Sequence, residues 1–182
     1  MLKLAKEEIG ILKKLIGYSF ESLVSPDIKK SDINPSTYIS LDLKTVICFD
    51  KNGKGSRVLI ESDFNENEDG DVFYDYQIIQ TDLSNYGEQA RMPFQSSPIK
   101  EILVYGRKIC KKDFGNAADG NKIFTTVDGT DDAFIFKCEG NQEILIYFHY
   151  FLPQLRLTSN SNEVEYFWRN FGEFYEKHLT IE

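Results

Sequence analysis

The sequence predicts an α+β domain made mainly of antiparallel β-sheet, in the form of a sandwich or a curled sheet, with a helix near each end. Short apolar runs rich in β-branched and aromatic residues recur along the middle of the chain, and turns containing Gly and Asn separate them. Apolar residues at helical spacing mark the two terminal regions. A length of 182 residues fits a single domain over 1–182.

The first predicted element is an amphipathic helix over residues 4–16. Leucine and isoleucine recur at helical spacing, lysine and glutamate fill the gaps, and Gly17 supplies a stop.

A β-hairpin is predicted from two apolar runs, 45–49 and 57–61, that flank a polar turn over 50–55. Residues 50–61 also imitate an EF-hand calcium loop. Lys54, however, stands where an oxygen ligand is needed, and strands replace the two helices that such a loop requires. We therefore interpret the segment as a hairpin turn and predict no metal site.

Further strands are predicted wherever apolar runs lie between turn-forming residues. They cover 38–43, 72–80, 101–106, 122–127, 132–138 and 143–151. The dipeptide Asp128-Gly129 is the predicted turn between the fourth and fifth of these runs.

Two regions of the chain resemble each other, which suggests an internal duplication. Each has a short strand-like run, then an apolar strand, a polar turn with Gly and a second apolar strand. We predict two meander halves, 17–84 and 99–157, joined by residues 85–98. The alternative is that any two hairpins look alike.

The last predicted element is a helix over residues 162–179. Aromatic and aliphatic residues recur there with a period of 3.6, Asn162 suits the N-cap, and Glu165 completes a capping-box pattern. One aromatic face can cover a side of the sheet, and core packing explains these rings without a cofactor.

Composition excludes several functional classes. The 29 acidic and 21 basic residues give a net charge of −8, whereas a duplex nucleic-acid binder needs a positive face, so nucleic acid is a disfavoured partner. The chain lacks a long uncharged apolar run, which predicts no membrane span. The three cysteines are far apart, which argues against a disulfide framework and a thiolate zinc site and makes the cytoplasm the expected compartment.

Catalytic signatures are missing from the sequence. It has no P-loop, Rossmann glycine run, G-x-S-x-G elbow or H-E-x-x-H pair. His149 lies in an apolar strand and is interpreted as structural, and His178 lies near the predicted helix end, where a cation favours the helix dipole. Cys110 or Cys138 with His149 would make a nucleophile–base pair in principle, but we interpret the cysteines as small buried residues. No catalytic residue and no cofactor is assigned.

An acidic stretch over residues 61–75 is the strongest candidate for a binding surface. It holds seven acidic residues and no Lys or Arg, with aromatic residues beside them. It is either a solvated loop or an attractant for a basic partner surface, anchored by the aromatic rings. The predicted partner-binding residues are Glu66, Glu68, Asp69, Asp71, Tyr74, Asp75 and Tyr76.

A basic run lies further along the chain. Its possible anion-binding residues are Arg107, Lys108, Lys111 and Lys112. These side chains would suit an anion or a single-stranded nucleic acid. Lysines that protect the edge of a strand explain the same pattern, and we favour that interpretation.

Together these observations predict a non-enzymatic protein-binding module with an acidic face, whose partner is another protein with a basic surface. The profile of a small, acidic, β-rich chain is similar to that of bacterial immunity or inhibitor proteins, a likeness of composition alone. The alternative is a small-molecule-binding or enzymatic β-sandwich with its site between the sheet and the C-terminal helix, suggested by the surplus of aromatic residues.

Overall fold

The computed structural model describes residues 4–33, 36–41, 44–66, 72–82, 89–113, 123–148 and 155–182. Within these ranges the chain forms two helices and twelve strands. In chain order they are α1 Lys6–Lys14, β1 Ser19–Ser25, β2 Ile28–Ile33, β3 Ser36–Leu41, β4 Lys44–Lys51, β5 Lys54–Glu66, β6 Val72–Gln80, β7 Ala90–Pro93, β8 Ile99–Asp113, β9 Ile123–Cys138, β10 Glu143–Phe148, β11 Leu155–Thr158, α2 Ser161–Phe171 and β12 Tyr175–Ile181.

The strands form two antiparallel sheets that are not closed, which confirms the predicted fold class. The first sheet has the order β6-β5-β4-β1-β7 and the second has the order β12-β8-β9-β10-β11-β3-β2. Strands β2 and β3 come from the first half of the chain but join the second sheet. The two sheets therefore do not divide the chain simply at its middle.

The main core lies between the facing sides of the two sheets, where apolar side chains alternate with outward-facing ones. The ring of Phe20 in β1 packs 4.7 Å from that of Phe49 in β4 and 5.1 Å from that of Phe136 in β9. Leu12 of α1 and Leu15 at its C-cap also belong to this core. Each such side chain contributes about 1.5–3 kcal/mol by leaving water.

The N-terminal helix and the first hairpin confirm their predictions. Gly17 follows α1 with a φ of 83°, a conformation that favours glycine. Asn52 and Gly53 have φ values of 53° and 80°, as a two-residue type I′ turn requires. The amide of Gly53 donates to Asp50 Oδ2 at 3.2 Å, so this carboxylate supports the turn.

The predicted C-terminal helix over 162–179 is wrong in its second half. Helix α2 ends at Phe171, and Tyr175–Ile181 forms β12, which pairs with β8. The N-cap is Asn160, whose Oδ1 accepts from the Asn162 amide at 3.0 Å, and not Asn162 itself. The regular spacing of aromatic residues imitated a longer helix, while the backbone bonds offered by β8 decide the structure of the last residues.

The predicted turn at Asp128-Gly129 is also wrong, because β9 runs without interruption past it. The β8–β9 register shifts between Arg107 and Ile109, where the pairing skips these two turn-forming residues. Glycine inside a strand commonly marks such a bulge.

The predicted duplication stays a prediction. In each half the middle strand, β4 or β9, lies between the strand that precedes its hairpin and the strand that completes it.

Glu8 joins the N-terminal helix to the edge of the first sheet. Its Oε2 accepts from the Ala5 amide at 2.7 Å and caps the start of α1. Its Oε1 accepts from the Ile78 amide of β6 at 2.8 Å. One carboxylate therefore satisfies a helix end and an edge strand that lie 70 residues apart in the chain.

Replacing Glu8 by Ala should lower the free energy of unfolding by about 1.5–3 kcal/mol, because two amides lose a charged acceptor. Urea denaturation measures this loss. The matched control is Glu7→Ala, an exposed first-turn residue that should cost no more than about 0.3–1 kcal/mol through the helix dipole. Equal losses for the two variants would contradict the bridging role of Glu8.

Candidate protein-interaction site

A two-stranded extension of the first sheet carries part of the predicted binding surface. Strand β5 pairs with β4 only as far as Glu61, but it continues to pair with β6 as far as Glu66. Residues 62–66 and 72–76, which we call the acidic ribbon, therefore extend past the end of β4. At about 3.3 Å per residue each strand of the ribbon is about 17 Å long.

The acidic ribbon contains four of the seven predicted partner-binding residues. Glu66 pairs with Val72, Tyr74 with Phe64, Asp75 with Asp63 and Tyr76 with Ser62. The other three, Glu68, Asp69 and Asp71, lie outside the described residues. Much of the acidic stretch therefore belongs to paired strands rather than to a solvated loop.

Two acidic residues occupy directly opposite positions in the acidic ribbon. Asp63 and Asp75 are register partners. The Thr81 amide donates to the Arg57 carbonyl at 3.0 Å, so these two residues form a hydrogen-bonded backbone pair. Such pairs recur at every second position along β5 and β6, and Asp63 and Asp75 are one of them. Like charges at such positions destabilise a sheet, typically by about 0.2–1 kcal/mol. Folding alone therefore does not explain this pair.

Strand β6 is an edge of the first sheet. The alternation of hydrogen-bonded pairs between β5 and β6 shows which backbone groups of β6 face outward. Odd-numbered residues such as Asp75 bond to β5, while even-numbered residues such as Tyr74 and Tyr76 direct their amides and carbonyls away from it. The bond from the outward amide of Ile78 to Glu8 agrees with this assignment. The outer side of the acidic ribbon is a row of backbone donors and acceptors.

The second sheet has a comparable extension. Strand β8 pairs with β12 only as far as Arg107, whereas residues 109–113 continue to pair with 123–127 of β9. All four predicted basic residues, Arg107, Lys108, Lys111 and Lys112, lie on β8 in or next to this extension. Beyond Arg107, β8 has no described partner opposite β9. This is the position in which lysine protects an edge, as the favoured interpretation requires.

Strands β5 and β8 start near each other at one end of the sandwich. The Gly17 amide donates to the Ile99 carbonyl, and the Ile99 amide donates to the Tyr18 carbonyl, both at 2.8 Å. Ser19 pairs with Asp50 beside the β4–β5 turn. The acidic ribbon and the basic extension are the last parts of β5 and β8, so each lies away from this end of the molecule.

The interface between α2 and the second sheet, where the alternative function would place a site, is packed with rings. Phe167 lies 4.7 Å from Tyr147 and 5.1 Å from Trp168, and Trp168 lies 4.6 Å from Tyr105, measured between ring centroids. Burial raises the pKa of Tyr105 above its usual range. Core packing is the role that these contacts support.

The described cysteines do not resemble nucleophiles. Cys48 and Cys138 are buried free thiols. Burial raises the pKa of the Cys138 thiol, an effect that a hydrogen bond with Ser96 only partly opposes, so the thiol stays protonated. Its Sγ donates to the Phe136 carbonyl at 3.8 Å. His149, the base considered for it, lies outside the described residues.

His178 does not lie near the end of a helix, as predicted, but in β12, where its ring packs against β8. Only 8% of its side chain is exposed, and its ring occupies the space that a Cβ atom on Gly106 would need. Its Nε2 lies 3.3 Å from Glu176 Oε1. Gly106 of β8 therefore lets β12 pack closely at its bulge. No local sequence pattern predicts this contact, because Gly106 and His178 are distant in the chain.

The described residues contain no group of three or more His, Cys, Asp or Glu side chains placed to hold a metal ion. Neither described helix is long and apolar enough to cross a membrane. Comparisons with protein-family models, curated proteins and solved structures find no match to this chain.

Replacing Asp75 by Asn should raise the free energy of unfolding by about 0.2–1 kcal/mol, because it removes one charge of the opposed pair while keeping the shape. Urea denaturation of Asp63→Asn and of the double variant completes the cycle. The double variant should gain less than the sum of the single gains, because either change alone relieves the repulsion. Additive effects, or no gain, would show that the pair does not interact.

The raised pKa of Cys138 predicts a loss of stability at alkaline pH. Its stabilising effect is present below the ordinary thiol pKa of 9.0 and is lost as the pH rises through the raised pKa of the native state. Between about pH 8 and pH 11, wild-type stability should fall more steeply than that of Cys138→Ala. Urea denaturation at each pH measures the free energy of unfolding of both proteins. The slopes of this free energy against pH are then compared. Parallel slopes would contradict the shift.

Proposed function

We propose that this chain is a non-enzymatic protein-binding module that captures a partner with a basic surface through the acidic ribbon. The observation that carries the proposal is the like-charged register pair Asp63 and Asp75 on a ribbon that extends past the end of β4. Retaining a feature that costs stability indicates a role outside folding. A basic partner would offset the repulsion between the two carboxylates.

The charge of the ribbon suits recognition of a basic partner. Asp63, Glu66 and Asp75 stand on its two described strands, which contain no Lys or Arg. Clustered charge of one sign raises the rate at which an oppositely charged protein associates. Tyr74 and Tyr76 add the residue type that most often anchors an interface. The ribbon thus combines charge attraction with aromatic contact.

More specifically, we propose that this chain works in the cytoplasm. It would capture a basic protein there in the manner of a bacterial immunity or inhibitor protein. Support for this form is the composition, with a net charge of −8. Buried free thiols at Cys48 and Cys138 fit a reducing compartment.

Charge reversal on the acidic ribbon tests the proposal. Partners are captured on the immobilised protein at about 50 mM salt, identified and purified, and their association rates are then measured. Glu66→Lys with Asp75→Lys should lower the association rate at least about tenfold and weaken its dependence on salt.

The matched control reverses the charge of two exposed acidic residues at the opposite end of the sandwich. Glu139→Lys with Glu182→Lys changes the net charge by the same amount, and it should alter the association rate by less than about twofold. Recovery of no partner at low salt, or equal effects of the two double variants, would refute the acidic ribbon as the binding surface.

A further inference from the structure

We propose that the acidic ribbon binds its partner by strand addition, with an extended basic segment of the partner pairing along the free edge of β6. This inference rests on the proposed function and specifies how the partner is held. Main-chain hydrogen bonds would supply affinity, and the acidic side chains would select a basic sequence.

The other sheet edges have features that discourage strand addition. Strand β7, Ala90–Pro93, is short and lies against β2 at the adjoining edge of the second sheet. Strand β12 carries a bulge at His178. The extension of β8 contains Lys111 and Lys112, in a strand with no described partner on its outer side. Short strands, bulges and lysines are recognised means of blocking an edge.

On the described part of β6, Glu8 guards the edge at Ile78. Glu8 Oε1 accepts from the outward amide of Ile78 at 2.8 Å, so it stands where the carbonyl oxygen of a further strand would lie. From Tyr76 back to Val72 the described structure shows no further strand beside β6. The open length therefore coincides with the acidic ribbon.

Charge selects the occupant of this edge. Asp75 on β6 would be next to an added strand, and its register partner Asp63 lies one strand further in, so lysine or arginine at alternate positions of the added strand would meet this pair with opposite charge. A second copy pairing β6 against β6 would bring acidic residues together, and each copy carries a net charge of −8. An extended basic segment of another protein is therefore the partner chemistry that fits.

A peptide of alternating Thr and Lys, Thr-Lys-Thr-Lys-Thr-Lys-Thr with a fluorescein label, is the probe for this edge. Fluorescence anisotropy at low salt measures its binding. N-methylation of every second backbone amide of the peptide blocks one of its two edges. The amides along the other edge can still donate, so binding should be preserved. Methylation along both edges keeps the charge but removes the donors, so affinity should fall at least about tenfold.

Proline on the protein side gives an independent test. The Tyr74 amide points away from β5, so Tyr74→Pro removes an outward donor without breaking the hairpin. Tyr74→Ala removes the same ring but keeps the amide. Affinity for the unmethylated peptide should fall at least about tenfold more in Tyr74→Pro than in Tyr74→Ala. Circular dichroism should show both variants folded, and loss of fold in Tyr74→Pro would contradict the outward assignment.

The outcomes separate this inference from the proposed function. Equal affinity for the fully methylated and the unmethylated peptide would overturn strand addition, while the acidic ribbon would remain a charged binding surface. Failure of the unmethylated peptide to bind at low salt would overturn both. Self-association of the wild-type protein that Tyr74→Pro abolishes would identify a second copy as the occupant and overturn the choice of a basic partner.

Discussion

The backbone groups at the edges of two open sheets are the constraint on which this structure depends. Each outer strand presents donors and acceptors that must be paired, covered or guarded. Strand β7 is short, strand β12 contains a bulge, and Glu8 accepts a hydrogen bond from the edge of β6. The contact of Glu8 also holds α1 against the sheet, and α1 contributes buried leucines to the core. Edge protection and core formation are thus linked.

The acidic ribbon departs from this pattern. It extends past β4, places Asp63 opposite Asp75 and leaves the outer side of β6 without a described neighbouring strand. Each of these features weakens an isolated hairpin, since a two-stranded ribbon is only marginally stable in water. Local choices that oppose stability are expected where a protein meets a partner. These features are the basis on which we propose a binding role for the ribbon.

Local signals predicted part of the fold well. The Asn52-Gly53 turn and the stop at Gly17 depend on backbone conformations that their own residues determine, so the sequence around them is sufficient. Long-range pairing decided the rest. Tyr175–Ile181 forms a strand because it pairs with β8. Asp128-Gly129 lies in a bulge of β9, which also pairs with β8.

The candidate site was predicted in composition but not in geometry. The acidic residues and Tyr74 were recognisable from their clustering. Their opposition across two strands was not, and neither was the contact between Glu8 and Ile78, because no local pattern encodes a register or a bond that joins residues 70 apart.

Hydrogen–deuterium exchange of individual amides in the free protein reports which side of β6 is bonded. We predict protection that alternates along the acidic ribbon: slow exchange at Phe73 and Asp75, whose amides face β5, and fast exchange at Tyr74 and Tyr76, whose amides face outward. Equal protection at all four amides would show that the outer edge of β6 is already covered, and it would contradict this account of the binding site.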